Sequence, residues 1–122
     1  MANVFLVDLE QVTTDQISKT LAVEHHRIIQ GKTQDFGTRD LRQADIIFAD
    51  GNPAEYLRLL RWVRNERPSL PFVVVTRIPD TTAWLDALEA GATDFCSQPL
   101  EARQIHWLME SVLRGPGSVG AG

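Results

Sequence analysis

Hydrophobic residues fall into short, nearly unbroken blocks, and longer amphipathic stretches separate them. Val4-Phe5-Leu6-Val7 runs into Asp8, Ala44-Asp45-Ile46-Ile47-Phe48-Ala49 into Asp50, and Phe72-Val73-Val74-Val75 into Thr76. Blocks of this length, rich in β-branched and aromatic residues, predict buried strands rather than helices. His26 to Gln30, centred on Ile28-Ile29, predicts a further strand, and Asp94-Phe95-Cys96-Ser97 a short last one ended by Gln98-Pro99. Between the blocks the period changes. Thr13 or Thr14 is placed to cap a helix in which Ile17, Leu21 and Ala22 recur up to about Glu24. Residues 31–38 are polar with two glycines and read as loop, and Thr38 to Gln43 allows at most a short helix. Gly51-Asn52 reads as a turn and Pro53 suits a first helical position, so a helix is predicted from there to about Glu66. Its apolar stripe is Tyr56, Leu59, Leu60 and Val63. Asp80-Thr81-Thr82 caps a helix that stops at Gly91, and Glu101 to Leu113 forms the last, with Ile105, Leu108, Met109 and Val112 inward.

Strand and helix alternate five times, and the strands are apolar on both faces. This predicts one α/β domain with a five-stranded parallel sheet covered by helices on each side. Open sheets of this kind take ligands at the carboxyl ends of their strands, where the strand order switches direction. Asp8, Asp50, Thr76 and Gln98-Pro99 stand at those ends.

Composition narrows the classes. The 122 residues hold 16 acids and 12 bases, a net charge of -4, which argues against a dedicated nucleic-acid binder. Cys96 is the lone cysteine, so no intrachain disulfide or multi-cysteine zinc site can form. No apolar stretch approaches the ~20 residues of a membrane span, and the start lacks the pattern of a secretory signal. A cytoplasmic domain without membrane contact is the expectation, spanning residues 1–114. Residues 115–122, rich in glycine, are expected to form a flexible tail or linker.

Two acids closing two apolar strands are a costly placement, since neighbouring carboxylates repel and desolvate each other. A divalent cation relieves both costs, and hard oxygen ligands suit Mg²⁺. Residues 3 to 114 resemble the receiver domain of two-component response regulators, the CheY-like fold. Ala87-Leu88-Glu89-Ala90-Gly91-Ala92-Thr93-Asp94-Phe95 with Gln98-Pro99-Leu100 resembles that family's fourth helix, fifth strand and lysine-proline turn. Ala44 to Asp50 resembles its third strand. The resemblance implies that Asp50 is the phospho-acceptor, Thr76 the switch hydroxyl and Phe95 the switch aromatic. It implies a Mg²⁺ site at Asp8, Asp50 and the backbone carbonyl of Asn52, with Glu10 as the candidate to replace the family's second acid. It also turns Leu85 and Leu88 inward and sets Trp84 on the outer rim.

The departures concern charge. Leu9 stands where the family carries a second acid, with Glu10 one residue further on, and Gln98 stands in place of the family's lysine. The loop after Asp50 is about one residue shorter than usual. Gln98 donates a hydrogen bond but carries no charge. Losing one electrostatic contact of this kind can cost ~3 kcal/mol in a transition state. The expected function is therefore an atypical receiver of a phosphorelay, not an enzyme, working as a protein-interaction module between a histidine kinase or other signalling protein and an output domain or partner. The alternative is a competent receiver that accepts phosphate from a histidine kinase on Asp50 with Mg²⁺. A small-ligand enzyme of flavodoxin-like build ranks last, because no glycine-rich phosphate loop follows the first strand.

Other signals have plainer readings. Cys96 reads as a small buried hydrophobe, and His25, His26 and His106 as surface or strand-edge residues. Arg58, Arg61, Arg64 and Arg67 recur at every third position and read as a solvated face, the alternative being a surface for anions or acidic partners. Trp107 lies ~200° around the last helix from Ile105 and should face away from the core. Trp84, Phe95 and Trp107 are thus candidates for a partner or homodimer interface.

Overall fold

The computed structural model describes residues 2–78 and 80–121, with side chains of the last helix described as far as Val112. The chain runs β1 (Asn3–Val7), α1 (Gln11–Ala22), β2 (Arg27–Gly31), a 3-10 turn (Thr33–Asp35), α2 (Thr38–Gln43), β3 (Ile46–Asp50), α3 (Pro53–Glu66), β4 (Phe72–Thr76), α4 (Thr81–Glu89), β5 (Asp94–Ser97) and α5 (Ala102–Ala121). The strands form one parallel sheet in the order β2-β1-β3-β4-β5. The tail expected at 115–122 lies beyond the described side chains.

The two-residue period of the strands divides the core into two layers. Phe5, Val7, Ile47, Ala49, Phe72 and Val74 point to one face and pack with Leu41 of α2, with Tyr56, Leu59, Leu60 and Val63 of α3 and with Ala87 of α4. Val4, Leu6, Ile46, Phe48, Val73 and Val75 point to the other, against Ile17 and Leu21 of α1 and Ile105, Leu108 and Met109 of α5. Cys96 belongs to this second layer, and burial pushes its thiol up to about 12, so it stays protonated and inert. No helix among the described residues is long and apolar enough to cross a membrane.

Three local expectations differ from what the fold shows: the cap of α1, the inward side of α4 and the solvated face of arginines. The cap position of α1 is Glu10, and Thr13 and Thr14 lie buried within the helix. On α4 the core contact is Ala87, while Leu85 is 48% exposed. Trp84 and Trp107 face outward at 40% and 58% exposure. The arginines of α3 do not form one solvated face. Arg64 donates from Nε to Gly91 O (2.7 Å) and from Nη1 to Leu70 O (2.7 Å), and Arg67 donates from Nη1 to Leu41 O and Ala44 O (both 2.7 Å). Arg67 thus satisfies carbonyls at the C-terminal end of α2 that its six-residue length leaves without helical partners. Gly91, at φ +108°, lets Arg64 cross the turn, since a Cβ there would stand 3.2 Å from Arg64 Cγ. His26 accepts from Ala2 N (3.0 Å), and Glu24 sits between His26 and His106, pairing with both.

These clamps set a contrast along one helix. Arg67→Ala should lower unfolding stability by roughly 1–3 kcal/mol, the cost of leaving part-buried carbonyls unpaired. Arg61→Ala, on the exposed side, should stay within about 0.5 kcal/mol of the parent. Urea denaturation of the two variants measures both.

Candidate functional site

The strand order reverses between β1 and β3, so the carboxyl ends of these neighbours flank the crevice where ligands sit in such sheets. The hydrogen-bond ladder runs one residue past the strand ends: Asp8 N donates to Gly31 O (2.9 Å), Gly51 N to Val75 O (2.8 Å) and Gln98 N to Thr76 O (2.8 Å). Asp8, Asp50, Thr76 and Gln98 are therefore carried to one edge of the sheet by backbone register.

Each expected site residue has a definite partner. Asp8 takes the left-handed backbone region (φ 58°), and its Oδ2 accepts from Thr33 Oγ1 (2.6 Å) and Thr33 N (3.2 Å). Glu10 forms an ion pair with Arg77, which directly follows Thr76. Asp50 Oδ2 accepts from Asn52 N (3.2 Å). Asn52 is the cap of α3: its Oδ1 accepts from Ala54 N (3.1 Å) and its carbonyl from Glu55 N and Tyr56 N (both 3.0 Å). Thr76 Oγ1 donates to Ile78 O (3.3 Å), and Gly51 lies so close that a Cβ would stand 3.0 Å from Thr76 Cβ. The Nε2 of Gln98 is buried without a hydrogen-bond partner. Phe95 lies away from this edge, half-buried against the α3 layer, on a groove of about 380 Å³ that Trp84 and Gln104 also border.

Burial raises the Asp50 carboxyl above its ordinary value. The Asn52 amide opposes the rise, Glu10 adds to it, Arg77 opposes it and Asp8 adds to it. Two residues of the neighbourhood escaped the sequence reading. Arg77 supplies a cation beside Asp50, although it arrives from the end of β4 and not from the lysine position. Glu55, in the first turn of α3, is also raised, chiefly by a hydrogen bond with Asp8, then by the Asp8 charge, slight desolvation and the Asp50 charge, with Arg58 opposing. The Thr76-Arg77 succession was visible as a base after a strand end. Nothing local marked Glu55, whose partner lies in another element.

A Mg²⁺ ion takes near-octahedral oxygen donors, one or two of them carboxylates. Asp8 meets Thr33 through one carboxylate oxygen and Asp50 meets Asn52 N through one, while Glu10 pairs with Arg77. Among the described residues no three His, Cys, Asp or Glu side chains are arranged to hold a metal ion. Asp8 and Asp50 are the carboxylates that would hold a Mg²⁺ ion here, while Glu10 is drawn to Arg77. α3 begins at Pro53, and Asn52 is its cap.

No protein-family model matches the chain, and no curated protein matches it. Solved structures do. A response regulator receiver domain protein from Clostridium thermocellum superposes with a TM-score of 0.81 at 16% identity, covering 93% of this chain and 95% of that one. NtrX from Brucella abortus gives 0.80 at 24%, covering 93% of this chain, which spans only 27% of the NtrX chain. The beryllofluoride-activated NtrC4 receiver domain dimer gives 0.83 at 17%, covering 93% and 98%. The fold is that of CheY-like receiver domains.

The raised Asp50 carboxyl has a stability consequence. Its folded form binds a proton more tightly than the unfolded chain does, so stability falls as pH rises from the ordinary carboxylate range through the raised value. Asp50→Asn should therefore melt higher than the parent at neutral pH. The gain should shrink as pH drops through the raised value and vanish below the ordinary one. Thermal melts of both proteins from acid to neutral pH check this.

Proposed function

We propose that the chain is an atypical receiver domain of a two-component response regulator, passing signals by protein contact and not by phosphoryl transfer to Asp50. The observation that supports this most is a receiver fold in which the acids beside Asp50 already have partners: Asp8 with Thr33, Glu10 with Arg77. Phosphoryl transfer is catalysed mainly by positioning and charge neutralisation. An anion approaching Asp50 meets Asp8, Glu10 and Glu55 nearby, the neutral Gln98 at the lysine position and an Arg77 already paired. Those residues disfavour the reaction from both sides, through added repulsion and missing cations.

The contact surface we assign to this role is the outer side of α4, β5 and α5. Trp84 and Trp107 are exposed there, and Phe95 borders the groove beside α4. Exposed indoles make anchors for protein partners, and a self-complementary patch closes as a two-fold dimer. The NtrC4 receiver, similar in fold, is a dimer in its beryllofluoride-activated form. The partners are a histidine kinase or other signalling protein upstream and an output domain or partner protein downstream, in the cytoplasm.

Acetyl phosphate with Mg²⁺, followed by intact mass, tests the reading. The expected result is no stable adduct and an assembly state, by light scattering, that the phosphodonor leaves unchanged and Trp107→Glu alters. Stoichiometric phosphorylation lost in Asp50→Asn would reverse the reading in favour of a competent receiver.

A further inference from the structure

The outer side of α3 carries a groove that the strand-end site does not use. It encloses about 740 Å³ and is bordered by Arg58, Arg61 and Arg64, with Leu57 and Trp62 among its apolar members. None of its lining residues is acidic, although the chain carries a net charge of -4. The three arginines differ in their commitments. Arg64 is fixed at one end by Gly91 O, Leu70 O and Thr93 Oγ1 (3.3 Å). Arg61 makes no ion pair among the described residues, and Arg58, which also borders the crevice of Asp8 and Glu55, has the Glu55 carboxyl one turn back as an electrostatic neighbour. Both are exposed, and three residues apart on a helix they project side by side. Trp62 is held in place by an edge-on contact with Phe36, ring centroids 6.0 Å apart.

We infer that this α3 groove docks an acidic peptide segment of a partner protein, its carboxylates meeting Arg58 and Arg61 and an apolar side chain resting on Leu57 and Trp62. Guanidinium groups match carboxylates in a planar, two-point geometry. Exposed ion pairs alone bind weakly, so the apolar members supply the contact that holds the segment. Charge chooses a peptide over nucleic acid: an extended polyanion leaving the groove would run over an acidic protein, whereas a short segment stays within it. The inference does not depend on phosphorylation of Asp50 or on the α4 to α5 face.

Fluorescence anisotropy of a fluorescein-labelled Glu-Leu-Glu-Glu-Phe-Glu peptide with the intact chain tests this. The parent should bind in a salt-sensitive manner. The Arg58→Glu/Arg61→Glu double variant should bind about tenfold more weakly or worse, and Arg103→Glu, an exposed arginine on α5, should match the parent. Arg58→Gln/Arg61→Gln provides the same comparison without charge reversal, and thermal melts confirm that each variant is folded. Three results would overturn the inference: no binding by the parent, an equal loss in Arg103→Glu, or a single-stranded oligonucleotide that binds through Arg58 and Arg61 as tightly as the peptide.

Discussion

The carboxyl ends of β1 and β3 are neighbours, and the chain places an acid at each. Parallel pairing fixes this arrangement, because Leu6 aligns with Phe48 and Val7 with Ala49, which carries Asp8 and Asp50 to the same edge. Carboxylates gathered there repel one another in partly dry surroundings, and something must compensate. Here the compensation comes from within the chain. Asp8 turns through a left-handed backbone to Thr33, Glu10 takes Arg77, and Asn52 spends both its side chain and its carbonyl on the start of α3. Asp50 is left half-buried with one amide donor, its carboxyl raised.

Much of the architecture was legible because burial writes directly into the strands. Phe72–Thr76 and Asp94–Ser97 are bounded as their runs of apolar residues predict, and α3 spans Pro53–Glu66 as its proline start and apolar stripe require. The misplaced details share one cause: partners distant in sequence. Leu85 looks like a core residue, but Ala87 takes the core position of α4 instead. Arg64 and Arg67 look solvated until the α4–β5 turn and the end of α2 come within reach of their guanidinium groups.

The candidate site divides the same way. Asp8, Asp50, Thr76 and Gln98 could be located because strand ends are local features. What those residues do depends on Thr33, Arg77 and Glu55, each contributed by another element. Asn52 shows how one residue supports two meanings. Similarity to receiver domains casts its carbonyl as a metal ligand, and an asparagine directly before a helix-starting proline is also a cap, the role its side chain takes here.

In the proposed reading Thr33 and Arg77 hold Asp8 and Glu10, and the edge takes no metal-assisted anion. Amide NMR spectra recorded as Mg²⁺ and then beryllofluoride are added test it most directly, read at Asp8, Gly51, Asn52 and Thr76. These four amides should keep their positions throughout, with any response confined to scattered surface acids. Saturable shifts at Gly51 and Asn52 with Mg²⁺, extended to Thr76 by beryllofluoride, would contradict it.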